Sequence, residues 1–147
     1  MDPPEKTIRD LIYNNYAASS PAKADVIFPE IMRLQDLEGT HNPGKNYIWV
    51  TATEAPLRSA AFTVKRVDQV CVVHIHTKSA SQSKTDVLAA NTRKQNMLDE
   101  ICHIIIVHGA TLTAFIPHLK LFVDRSDLMF DPPVLAVDIY VTCTYLR

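Results

Sequence analysis

Glycine is scarce in this chain, with three residues in 147 against nine prolines. That scarcity excludes a Gly-rich phosphate cradle and a G-x-S-x-G nucleophile turn, and it leaves little left-handed backbone. Cysteine is equally scarce. Cys71, Cys102 and Cys143 are odd in number and widely spaced, and no C-x-x-C occurs, which excludes a zinc ribbon and a redox dithiol. Each lies in an apolar run, where a thiol acts as a small hydrophobe, and a reducing compartment is expected. An excess of positive charge is also missing. Fifteen Lys and Arg face sixteen Asp and Glu, for a formal charge of −1, which argues against a protein built to grip nucleic acid. The longest apolar stretch, ICHIIIVHGATLTAFI, is too short and too interrupted by histidine to span a bilayer. The opening MDPPEKTIRD has no apolar signal core, so no membrane partner is expected.

What is present points to one domain, residues 1–147, because a chain of this length buries roughly two-thirds of its unfolded surface. Pro3, Pro4 and Glu5 open a helix over 5–17, with Ile8, Leu11 and Ile12 at helical spacing. LEGTHNPGK, 37–45, is the clearest loop. NYIWVTATE, AAFTVKRV and QVCVVHIHTKS read as three strands of an antiparallel meander, followed by a serine-rich link. Thr85 and Asp86 can cap a long helix of about 23 residues with its apolar stripe on Val87, Ala90, Met97, Ile101, Ile104, Ile105 and His108, and Gly109 as its stop. HLKLFVDRSD, 118–127, reads as a strand leading into a loop. VLAVDIYVTCTYLR alternates, with Leu135, Val137, Ile139, Val141, Cys143 and Tyr145 on one face and Asp138, Thr142 and Thr144 on the other. The expected fold is α+β: a mostly antiparallel sheet of about four to five strands, a long helix packed on one face, and a short N-terminal helix.

No motif announces a catalytic chemistry, and neither an enzyme nor a cofactor is expected. His74 and His76 share one face of their strand with Val70 and Val72, so two imidazoles there can start a metal site if a third ligand joins them. The plainer reading is a strand running out to two partly exposed histidines at its wet end. HIIIVH lacks the glutamate and the spacing of H-E-x-x-H. Lys78, Lys84, Arg93 and Lys94 cluster at the start of the long helix, as a solvated face, a protein interface or a phosphate contact. The loop VDRSDLMFDPP places Arg125, Asp127 and Asp131 around Leu128, Met129 and Phe130. Such a loop either plugs the core or meets a partner.

The order of these segments, TIRDLIYNNY, a meander ending in VCVVHIHTKS, a serine link, a helix from TDVLAA and paired strands closing in AVDIYVTCTYLR, resembles the tail-terminator (tail-completion) proteins of long-tailed viruses. The resemblance covers roughly residues 5 to 147 as a pattern of elements, without a signature motif, and the stretch 18–46 is longer than in the simplest members. It implies a structural virion protein of the tail and neck, assembled in the host cytoplasm. Such a subunit forms a homo-oligomeric, hexameric ring that caps the tail tube protein and meets the head-tail connector or stopper, while DNA slides through its lumen without specific binding. Arg125, Asp127, Met129, Phe130, Asp131, His74 and His76 are the candidate subunit-interface or lumen residues. The alternatives are another neck or head-tail joining component, or a small metal-binding protein or enzyme using His74 and His76.

Overall fold

The computed structural model describes residues 3–16, 26–27, 46–53 and 66–146. The expected loop at 37–45 and the first part of AAFTVKRV, 60–65, lie outside them, as does the side chain of Tyr145. The chain builds helix α1 (Pro4–Asn15), strands β1 (Val26–Ile27), β2 (Asn46–Ala52) and β3 (Arg66–Lys78), helix α2 (Lys84–Gly109), and strands β4 (Ile116–Asp124) and β5 (Val134–Leu146). The strands form one sheet in the order β1-β2-β3-β5-β4. Only β1 runs parallel to its neighbour; every other pairing is antiparallel. The fold is the expected α+β class.

Alternation along the strands sorts the sheet into two faces. Ile48 and Val50 of β2, Cys71, Val73 and Ile75 of β3, and Val137, Ile139, Val141 and Cys143 of β5 point to one face. There they meet Ile8 and Ile12 of α1 and Met97, Ile101 and Ile105 of α2. Both helices therefore cover the same side of the sheet. The other side is also buried at its centre, where Tyr47, Trp49, Val72, Ala136 and Asp138 are almost wholly shielded. Cys71 and Cys143 are free thiols in the core with their sulfurs 3.9 Å apart. Burial, with the charge of Asp99 adding to it, pushes the Cys102 thiol up to about 11, as befits an inert packing residue. Among the described residues no helix is long and apolar enough to cross a membrane.

Several local expectations shift. The meander's second and third candidate strands share one strand, since Arg66 and Val67 already belong to β3 and pair with β5. Ser83, rather than Thr85 or Asp86, caps α2, its hydroxyl accepting the Asp86 N–H at 3.2 Å, so the helix starts earlier and runs 26 residues. Asp86 sits in the first turn and accepts from Ser81. Gly109 ends α2 without a left-handed conformation. Its role is close approach, because a Cβ there would stand 2.7 Å from Pro117 Cγ. β4 begins at Ile116 and stops at Asp124, where that carboxylate turns back to accept the Ser126 N–H.

The basic cluster at the start of α2 is largely tied into the fold. Lys94 is buried, its ammonium 3.4 Å from Ser126 Oγ and 3.6 Å from Asp124. Arg93 donates from Nε to Asn46 Oδ1 at 3.0 Å and from Nη2 to Thr77 Oγ1 at 3.1 Å, while Thr77 itself donates to Asn46 at 2.6 Å. These bonds pin the helix to the ends of β2, β3 and β4. Only Lys84 of the four stands exposed.

Candidate functional site

The register of three strands assembles a polar chain on the face away from the helices. His74 lies opposite Trp49 of β2 on one side and opposite Asp138 of β5 on the other. Its ring stacks on the Trp49 indole with centroids 4.8 Å apart and planes at 18°, while His76 meets the same indole edge-on at 4.5 Å. His74 Nδ1 is 2.8 Å from Asp138 Oδ1, and Nε2 is 2.8 Å from Thr51 Oγ1. A carboxylate only accepts, so Nδ1 carries a proton, and in the neutral ring Nε2 accepts the Thr51 hydroxyl. The other Asp138 oxygen takes Arg125 Nε at 3.2 Å, and Arg125 Nη2 reaches the Tyr140 hydroxyl at 3.4 Å.

Asp138 is the hub. Burial opposes its ionisation, but the hydrogen bond and charge of His74, followed by those of Arg125, outweigh that cost and hold its carboxyl below the usual range. The buried carboxylate is therefore ionised and satisfied from both sides, as a buried charge must be. Chemically, the order hydroxyl, imidazole, carboxylate can draw a proton from Thr51.

Two of the residues singled out from the sequence, His74 and Arg125, thus belong to one network. The histidines do not stand at the wet end of a strand. They lie partly buried toward the end of the central strand β3, paired on both sides and packed on Trp49, with Thr77 and Ser79 beyond them fully buried. Both nitrogens of His74 are engaged, so a metal would have to displace Thr51 or Asp138 to reach the ring. Among the described residues, no three His, Cys, Asp or Glu side chains are grouped to hold a metal.

Arg125 links this network to the β4–β5 loop. Its N–H donates to Ala136 O at 2.9 Å, and Asp127 exchanges two backbone bonds with Val134, at 2.7 and 3.0 Å. Asp127 Oδ1 then accepts the Met129 N–H at 2.9 Å. The loop is held at its base, and it does not fold back as a core plug: Leu128, Met129 and Phe130 all stand exposed, Met129 at 93%. Asp131 is exposed beside them. Asp127, Met129, Phe130 and Asp131 therefore form an outward tip, separate from the imidazoles but anchored to them through Arg125 and Asp138.

Sequence reasoning missed Asp138, Thr51 and Trp49 as site residues. A lone carboxylate in mid-strand of an otherwise apolar run was the available signal for Asp138. Thr51 and Trp49 gave none, since only the pairing register brings them to His74.

The fold and site define an α+β domain with a Thr–His–Asp–Arg network centred on the buried Asp138 and an exposed apolar tip on a hydrogen-bonded loop. No protein-family model matches the chain, and no curated protein matches it in sequence.

Proposed function

We propose that this protein is an assembly subunit, a ring-forming tail terminator that caps a viral tail tube and joins it to the head-neck connector. The observation that carries this reading is the tip at Leu128, Met129 and Phe130. A chain that completes its own core yet holds three large apolar side chains outward on a fastened loop suits a partner surface. The element order supports it as well: a short helix, antiparallel strands, a serine link, a long helix and two paired strands. A near-neutral chain also suits a lumen in which DNA slides. The test is electron microscopy of tail tubes polymerised with and without the purified protein, in which ring-capped ends of limited tube length are expected.

One observation favours a second reading, a hydrolase acting through Thr51. The Thr51–His74–Asp138 chain has the order of a nucleophile, base and orienting acid. In that reading Thr51 Oγ attacks the acyl carbon of an ester as its proton passes to His74 Nε2, the ester C–O bond breaks with the leaving oxygen taking a proton from His74, and water, deprotonated by His74, then hydrolyses the acyl-threonine. The test is release of p-nitrophenol from p-nitrophenyl acetate at a rate that Thr51→Val and His74→Gln both abolish. Unchanged release in both variants removes this reading.

A further inference from the structure

The two helices that share the inner face of the sheet are fastened to it in different ways. Polar bonds tie α2 to the ends of β2, β3 and β4, from Arg93 to Asn46 and Thr77 and from Lys94 to Ser126 and Asp124. α1 packs on α2, β2 and β3 through Ile8, Leu11 and Ile12. The bonds of Thr7, Asn15 and Arg9 stay within the helix. Thr7 Oγ1 donates to Pro3 O at 3.5 Å, Asn15 Nδ2 donates to Leu11 O at 2.8 Å, and Arg9 Nη2 pairs with Asp10 at 2.7 Å. Pro3, at the N-terminal end, offers no side-chain cap.

One row of α1 buries polar atoms that nothing answers. Glu5, Arg9 and Ile12 recur at helical spacing, and Tyr16 continues the row just beyond the last turn. Glu5 Oε2, Arg9 Nε and the Tyr16 hydroxyl are shielded from solvent without a hydrogen-bond partner. Among the described residues, no side chain of α2, β3, β4 or β5 is left in that state. Burial, with the charge of Glu100 adding to it, pushes the Tyr16 phenol up, so its hydroxyl stays a neutral donor. Contact with Cys143 and burial push the Cys71 thiol up, and the charge of Glu5 adds to them, which sets Glu5 close to that thiol.

An unanswered polar atom in a core costs free energy of the order that burying an aliphatic side chain returns. Three such atoms set against Ile8, Leu11 and Ile12 bring α1 near balance between docked and undocked. In water, each of the three regains its hydrogen bonds.

We propose that α1 is a releasable strap. It lifts from α2 and the sheet as one unit while α2 and β2 to β5 stay folded, and its release bares the apolar seat of Ile48, Cys71 and Ile101. Such a unit opens at lower free energy than the rest of the domain. The strap governs when the inner apolar face of the sheet can be reached, and a single hydroxyl is enough to shift it. The proposal goes beyond the assembly reading and does not rest on it.

The test is hydrogen–deuterium exchange by mass spectrometry on the full chain and on Tyr16→Phe and Arg9→Met, with N-ethylmaleimide as a probe of Cys71. A helix of 12 residues is not stable alone, so release exposes its amides to exchange. In the wild type, amides of residues 8–15 are expected to exchange about ten-fold faster or more than those of 97–105 and 137–141. Tyr16→Phe removes an unanswered donor and breaks no bond. It is expected to slow α1 exchange and Cys71 alkylation together by about five-fold or more, with α2 unchanged. Arg9→Met is expected to act in the same direction, so the result does not hang on one variant. Equal protection of α1 and β5 in the wild type would overturn the proposal, as would α1 exchange in Tyr16→Phe at or above the wild-type rate. Alkylation of Cys71 only at the rate at which β5 exchanges would overturn it too, because the thiol would then be reached by global unfolding.

Discussion

At the scale of single residues, Asp138 determines how the polar face behaves. Its carboxyl is held below the ordinary range, so its stabilising effect is present above the unfolded value of about 3.9 and is lost as the pH falls through its lower folded value. The sign follows from proton counting: between those two values the unfolded chain binds a proton at this site that the folded chain does not. Asp138→Asn should therefore lower stability at neutral pH by roughly 1–3 kcal/mol, because His74 and Arg125 lose a charged partner. It should also flatten the acid limb of the stability curve. Denaturant unfolding at neutral pH and at about pH 3 checks both; an unchanged acid limb would show that another group sets it. The legible part of this site was the pair of histidines and the loop arginine. Their connection was not, because Asp138 lies 64 positions from His74 and 13 from Arg125, and only strand pairing makes them neighbours.

At the scale of elements, α2 shows why a helix can be read while its ends cannot. The stripe of Ala90, Met97, Ile101, Ile104 and Ile105 is buried as its 3.6-residue spacing predicts. Its start is set by a choice among Ser83, Thr85 and Asp86 that local chemistry leaves nearly even, and neighbouring Ser81 decides it by engaging Asp86. Lys94 was legible as a cation but not as a buried one, since its partners Ser126 and Asp124 arrive from the far end of β4. Gly109 is the helix stop that the sequence suggested, and it is also the point where α2 touches β4. Gly109→Ala should therefore cost about 1–3 kcal/mol by overpacking against Pro117 rather than gain the helix propensity of alanine. Chemical denaturation of Gly109→Ala, alone and with Pro117→Ala, measures this. Partial recovery in the double variant is expected, and simple additivity would place the strain elsewhere.

At the scale of the whole molecule, the sheet is sealed on one face by two helices and shielded at the centre of the other, so the domain completes itself. Among the described residues, large apolar side chains stand exposed along β4 at Ile116, Leu121 and Phe122 and at Tyr13, Leu88, Ile106 and Val107, as well as at the fastened tip of Leu128, Met129 and Phe130, which is the part that the assembly proposal uses. The class and layering of the fold were legible from hydrophobic period alone, because alternation in β5 and the stripe in α2 are both set by burial. The arrangement of the outward tip was not, because loops obey partners and local hydrogen bonds rather than period. The most direct measurement of the assembly account is electron microscopy of tail tubes polymerised in the presence of this protein. The account predicts tubes ended by a six-fold ring of this chain, with tube growth stopped at the capped end. Tubes of undiminished length with bare ends would contradict it.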